Sequence, residues 1–257
     1  MQIGLMNHPA LPLPEQINAM GQAGYDFLDL TIEGPCALNP DVDKVRKLLD
    51  KYKLNVVGHT DPCLPYAYPI DEVRNACYKE LERCARIFQA LGAAVMNIHP
   101  CYTAPPGAKS ARVKAHVEVL KPLSQMAKSH GLKLVLENFS APFDTVETFS
   151  LLLDEIPDLG LHLDVGHTHF GADDALGFFK KLGHKIDHVH FSDNRGNADH
   201  HMPLGVGGVD WKSVIEALKR TGYDQTITLE VFCQDQDMFW KYADLSRQLV
   251  RSLWDAA

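Results

Sequence analysis

Eight short β-rich runs, each followed by a longer amphipathic stretch, constrain this chain more than any other feature of its sequence. The runs are 2–6 (QIGLM), 26–32 (DFLDLTI), 54–58 (LNVVG), 94–98 (AVMNI), 132–136 (LKLVL), 160–163 (GLHL), 186–191 (IDHVHF) and 226–232 (TITLEVF). Helical patterns fill 14–23, 41–53, 71–91, 110–130, 144–155, 173–182, 210–221 and 235–254. In 71–91, the residues Val73, Cys77, Leu81, Cys84, Ile87 and Leu91 recur close to the 3.6-residue helical period. Asp41, Asp71, Asp144 and Asp210 stand where helices want N-caps. Gly24, Gly92, Gly131, Gly183 and Gly222 stand where helices should stop.

Parallel strands joined by right-handed helical crossovers leave few architectures, and eight such units close into a barrel. The rival is a doubly wound open sheet, which announces itself with a glycine-rich first turn. The first turn here is Asn7-His8-Pro9-Ala10. The expectation is therefore an α/β chain with one (β/α)8 TIM barrel over residues 1–257. That length suits a barrel built as a single domain. A hydrophobic share of 46% supports a large core, and 23% charged residues argues against wholesale disorder.

Barrel enzymes carry their working groups at the C-terminal ends of the strands. Strand two ends at Glu33, strand three at His59 and strand four at His99. Strands five to eight end at Glu137, Asp164, His190 and Glu230. Every strand end from the second to the eighth thus presents a carboxylate or an imidazole. A buried carboxylate needs a partner or it loses its charge, and several facing one pore repel each other. A divalent cation answers that problem for Glu137, Asp164 and Glu230 together. His190 completes an N/O donor set suited to one Mn, Mg, Co or Zn ion.

Other residues are candidates for further metal or substrate contacts. His167 and His169 follow Asp164, and Asp199-His200-His201 follows strand seven. With His59 and His99, these offer ligands for one or two further ions. Arg195, following a ligand strand, is a candidate cation for substrate oxygens. The segment Pro62–Pro69 either walls the pocket or packs over the barrel top. Gly205-Val206-Gly207-Gly208 lacks the Lys-Ser/Thr ending of a phosphate loop and reads as a flexible turn.

Charge and cysteines narrow the function classes. The net charge of −8, from 25 basic and 33 acidic residues, disfavours a broad nucleic-acid surface. The six cysteines form no C-x-x-C pair or framework spacing, which points to free thiols in a reducing compartment. The N-terminus lacks the pattern of a signal peptide, and no apolar run approaches the roughly 20 residues that cross a bilayer. A cytoplasmic protein with no membrane partner is expected, and homo-oligomerisation stays open.

Several stretches carry a resemblance that covers essentially the whole chain. They are Leu136-Glu137-Asn138, Leu163-Asp164-Val165-Gly166-His167, His188-Val189-His190-Phe191-Ser192-Asp193-Asn194, Asp199-His200-His201-Met202-Pro203-Leu204-Gly205-Val206-Gly207 and Leu229-Glu230-Val231. The chain resembles the xylose isomerase-like barrels, which include sugar and sugar-phosphate isomerases and epimerases and also metal-dependent apurinic endonucleases.

In the isomerase and epimerase branch the resemblance implies one metal on Glu137, Asp164, His190 and Glu230. Glu137 and Glu230 would also be the acid–base pair, and Arg195 would touch substrate oxygens. The substrate implied is a small polyhydroxy carbonyl compound reacting through an enediolate. A keto-sugar lyase on the same site is chemically adjacent. In the endonuclease branch, nine ligands hold three Zn ions, and His59, His99, Glu137, Asp164, His167, His190, Asp199, His201 and Glu230 all have the matching type. That alternative implies two or three Zn and phosphodiester hydrolysis.

Overall fold

A computed structural model describes residues 1–101 and 108–257. The chain begins with β1 (Gln2–Met6), α1 (Leu13–Ala23), β2 (Phe27–Ile32), α2 (Gly34–Ala37) and α3 (Val42–Tyr52). Next come β3 (Asn55–Thr60), α4 (Asp71–Leu91), β4 (Val95–Ile98), α5 (Lys109–Ser129) and β5 (Lys133–Glu137). The second half runs α6 (Val146–Glu155), β6 (Gly160–Asp164), α7 (Val165–Thr168), α8 (Ala175–Leu182) and β7 (Ile186–Phe191). It ends with α9 (Trp211–Arg220), β8 (Thr226–Leu229) and α10 (Gln236–Ala256). Each strand pairs in parallel with the next, and β8 returns to β1, so the sheet closes into an eight-stranded barrel. The fold is the expected (β/α)8 barrel. Among the described residues no helix is long and apolar enough to cross a membrane.

Several caps differ from expectation. Asp41 and Asp210 do cap α3 and α9, accepting from the amides of Lys44 and Ser213. Asp71 instead lies inside the first turn of α4, where its charge suits the helix dipole, and Ile70 holds the cap position. Thr145 caps α6, while Asp144 reaches across to the Ala172 amide. Gly24 and Gly92 close α1 and α4 in the left-handed region that favours glycine (φ 77° and 82°). Gly183 is right-handed (φ −53°) and opens a short 3-10 turn before β7. The run at 226–232 also breaks early, because the pairing with β1 ends at Leu5–Leu229. Glu230 therefore starts a loop, its amide still donating to the Phe191 carbonyl.

Side chains along a strand alternate between two faces. One face of these strands is apolar, including Leu28, Leu30, Leu134, Leu136, Leu161, Leu163, Val189, Phe191, Ile227 and Leu229, all buried in the main hydrophobic core. Gly58 sits on this face, where any Cβ would run into the Phe88 ring of α4. The alternating positions Asp29, Thr31, His59, Asn97, Glu137, His162, Asp164, His188, His190 and Thr228 are polar, and each is at most 1% exposed. Asn97 joins His59 to Glu137, and Asp29 joins His188, His190 and Thr228, by hydrogen bonds across the barrel. A barrel interior this polar has to place every group against a partner or a ligand, since unpaired buried polar atoms are costly.

Beneath the polar layers, Phe27 fills the barrel floor because Gly4 leaves it room. A methyl group at Gly4 would overlap the Phe27 ring. Gly4→Ala should therefore overpack the floor and lower stability by about 1–3 kcal/mol. Urea unfolding checks this, and an unchanged midpoint would show that the ring moves aside freely.

Candidate metal centre

Glu137 and Asp164 are the last residues of β5 and β6, His190 lies in β7, and Glu230 follows β8. The register sets Asp164 beside His190 and His190 beside Thr228 across β6, β7 and β8. One ligand atom from each of Glu137, Asp164, His190 and Glu230 falls within 4.8 Å of the others, and all four residues are buried. The four strand-end residues singled out in the sequence therefore meet at one point.

The cluster is electrostatically strained, and the strain lands on Asp164. Burial, together with the Glu230 and Glu137 carboxylates, pushes Asp164 up to about 7, although the His167 imidazole pulls the other way. Burial would also raise Glu137, but His162 and His99 hold it well below the usual carboxylate range. Glu230 is likewise held low against burial by His201 and His190. Burial would lower His190, yet its hydrogen bonds to Asp29 and Glu230 hold it well above the usual histidine range. Two oxygens, Glu137 Oε1 and Asp164 Oδ2, are buried and accept no hydrogen bond among the described residues. Three carboxylates, one imidazole and bare oxygens within a few ångströms form a donor set that fits a divalent cation.

Around this core stand the remaining candidates. His59, His99 and Glu137 also bring ligand atoms within 4.8 Å of one another, so Glu137 belongs to two groups. His99 Nε2 is 3.2 Å from Glu137 Oε2, and the His59 and His99 rings stack with centroids 5.0 Å apart. Burial, reinforced by neighbouring His99, pushes His59 down to about 4, so it is a neutral ring. Asp199 Oδ2 bridges His167 Nε2 at 3.1 Å and His201 Nε2 at 3.0 Å. His201 adopts a left-handed backbone (φ 45°), rare for a residue with a side chain, and its Nδ1 lies 3.7 Å from Glu230 Oε1. Glu33 stands near this rim. Burial and the charges of Asp61 and Glu230 push it up to about 7.

Other sequence candidates lie apart. Arg195 is exposed and makes no hydrogen bond or ion pair among the described residues, and His169 and His200 are exposed as well. The Pro62–Pro69 segment packs down through Tyr66, whose hydroxyl donates to the His99 carbonyl and whose ring meets His116. Gly205–Gly208 is no loose turn, since it wraps the buried Asp193 carboxylate. Asp193 accepts from the amides of Gly205 and Val209 and from the Trp211 indole. A groove of about 710 Å³ between α5 and α6 contains none of these residues.

Sequence reasoning missed Asp29, Asn97 and His162, and took His188 only as part of a motif. These residues stand below the rim, where attention to strand ends does not reach. The signal was present, because each interrupts an apolar strand: Leu28-Asp29-Leu30, Met96-Asn97-Ile98 and Leu161-His162-Leu163. Asn97 donates 2.7 Å to Glu137 Oε2, and His162 Nδ1 lies 3.1 Å from the same oxygen.

Fold and centre together define a (β/α)8 barrel with a buried cluster of carboxylates and imidazoles at its mouth. The chain belongs to the xylose isomerase-like TIM barrel family, whose model matches residues 17–253. Fructoselysine 3-epimerase of Escherichia coli O157:H7 is 23% identical over 243 residues, covering 87% of each chain. A D-tagatose 3-epimerase-like protein superposes with a TM-score of 0.87 at 23% identity, covering 100% of this chain and 98% of its own. The IOLI protein, solved with a bound zinc atom, superposes with a TM-score of 0.85 at 19% identity, covering 100% and 99%.

Proposed function

We propose that the protein is a metal-dependent epimerase of small ketoses or ketose derivatives, inverting the carbon next to the carbonyl. The observation that carries this reading is that two of the four clustered residues are glutamates rising from different sides of the barrel mouth, Glu137 from β5 and Glu230 from β8. Relatives named as 3-epimerases support it. Glu137, Asp164, His190 and Glu230 would hold one divalent cation, Mn, Mg, Co or Zn. When bound, such a cation polarises a substrate carbonyl and offsets the negative charge that develops as the neighbouring proton leaves.

The chain's own groups do the proton work. One glutamate takes the proton from the carbon beside the carbonyl, and its electron pair moves into the carbonyl to give an enediolate. The other glutamate delivers a proton to the opposite face, so the configuration inverts and all atoms balance. Neighbouring imidazoles bias both glutamates toward the ionised form, as a base must be at neutral pH. The one acting as acid takes up a solvent proton before the step, and the one acting as base returns its proton to solvent after it. His99 and His201, each beside one of the two, would meet substrate oxygens. Arg195 would enter only if its loop folded inward.

A second reading rests on the two groups that share Glu137 and on the Asp199 bridge. In it, the site is a multinuclear zinc phosphodiesterase acting on abasic DNA. The metal count of purified protein and of His201→Ala separates the two. The epimerase reading expects one tightly held ion, retained in His201→Ala, and no cleavage of a duplex with an abasic site. Two or three ions, one of them lost in His201→Ala together with zinc-dependent strand cleavage, would establish the second reading instead.

A further inference from the structure

We propose that Asp29, which stands outside the quartet of Glu137, Asp164, His190 and Glu230, is the positioning residue that turns His190 into a ligand. This inference rests on the metal reading above. A neutral imidazole has one N–H and one lone pair, and only the lone pair can bind a cation. His190 Nε2 lies 2.8 Å from Asp29 Oδ2. An ionised carboxylate only accepts, so the proton must sit on Nε2. That leaves Nδ1 facing the cluster, 2.9 Å from Glu230 Oε2 and 4.0 Å from Asp164 Oδ2, where a bound cation would take the place of the proton Nδ1 otherwise shares with Glu230.

Asp29 is itself fixed. The same Oδ2 accepts from Thr228 Oγ1 at 2.7 Å and faces His188 Nε2 at 3.2 Å, while His188 Nδ1 is anchored on Thr226 Oγ1 at 2.7 Å. Asp29, His188, His190 and Thr228 are all 0% exposed, so no solvent competes for these bonds. The carboxylate is held between three donors on β7 and β8 and cannot swing toward the cation cluster without abandoning them. A histidine ligand whose far nitrogen is held by a carboxylate keeps one tautomer and one ring orientation, and losing that support costs about 10–100-fold in metal affinity or activity. In Asp29→Asn the amide can present its NH2 group to His190. That favours the Nδ1–H tautomer and points a proton, not a lone pair, at the cluster.

Zinc affinity, read by competition with a chromophoric chelator, tests this on wild type, Asp29→Asn and Thr228→Val. Thr228→Val removes a bond to the same oxygen but spares the one to His190, so it controls for a general loss of packing. The expected result is zinc binding weakened about 10–100-fold in Asp29→Asn and close to wild type in Thr228→Val. In zinc-loaded wild type, nitrogen NMR of labelled histidine should also show a slowly exchanging proton on His190 Nε2 that is lost in Asp29→Asn. Equal zinc affinity in Asp29→Asn and wild type, or equal weakening in both variants, overturns the positioning role. A wild type that binds no zinc or manganese overturns the metal reading itself, and is seen before any variant is compared.

Discussion

Glu137→Gln and Glu230→Gln should each lower turnover by about 10²–10⁴-fold, the usual worth of a positioned acid or base. The two should also fail differently. An epimerase with two opposed glutamates can still lift a proton with one of them, so one variant should retain some exchange of substrate hydrogen with solvent while losing inversion. Both substitutions keep side-chain volume, so circular dichroism should show an intact barrel. Glu137 has the denser surroundings, with Asn97 donating at 2.7 Å to Oε2 and His162 Nδ1 lying 3.1 Å from the same oxygen. Its amide would place N–H groups against donors already present, so Glu137→Gln should cost more stability than Glu230→Gln. Metal content must be measured alongside, because each glutamate is also a proposed ligand. Full turnover in either variant would remove that residue from the acid–base pair.

Asp164→Asn should separate stability from function. The substitution takes one negative charge from a cluster whose repulsion pushes Asp164 up to about 7 after burial. It can also keep the bond from the His167 amide to Oδ1, which starts α7. The metal-free barrel should therefore be at least as stable as wild type. The stabilisation gained on adding Mn or Zn should fall by about 1.4–2.7 kcal/mol if affinity drops 10–100-fold. Thermal unfolding with and without metal reads both numbers. An Asp164→Asn protein with unchanged metal content and activity would show that the quartet is wrongly assigned.

The barrel was legible because the alternation of strand and helix patterns repeats eight times and the polarity of each segment follows its period. Boundaries slipped where local signals competed. Asp144 looked like a cap, but Thr145 one residue later takes that role, and Asp144 is spent on Ala172. The quartet was legible because a carboxylate or imidazole after an apolar strand is conspicuous. What lay two residues deeper was not. Asp29 and His162 gather their partners only when β2, β6, β7 and β8 close into one barrel, and a linear sequence does not show which strands will face each other across the axis. Arg195 illustrates the converse: proximity in sequence to a ligand strand left it exposed on its loop.

Proton exchange with solvent tests the central claim most directly. A panel of ketoses should be incubated with the manganese-reconstituted protein in heavy water and followed by NMR, beside the same protein stripped by chelator. The account predicts a new epimer carrying deuterium at the single inverted carbon next to the carbonyl, and no exchange in the stripped sample until manganese is restored. An epimer formed without deuterium, exchange that survives complete removal of metal, or no exchange with any ketose while abasic DNA is cut would contradict it.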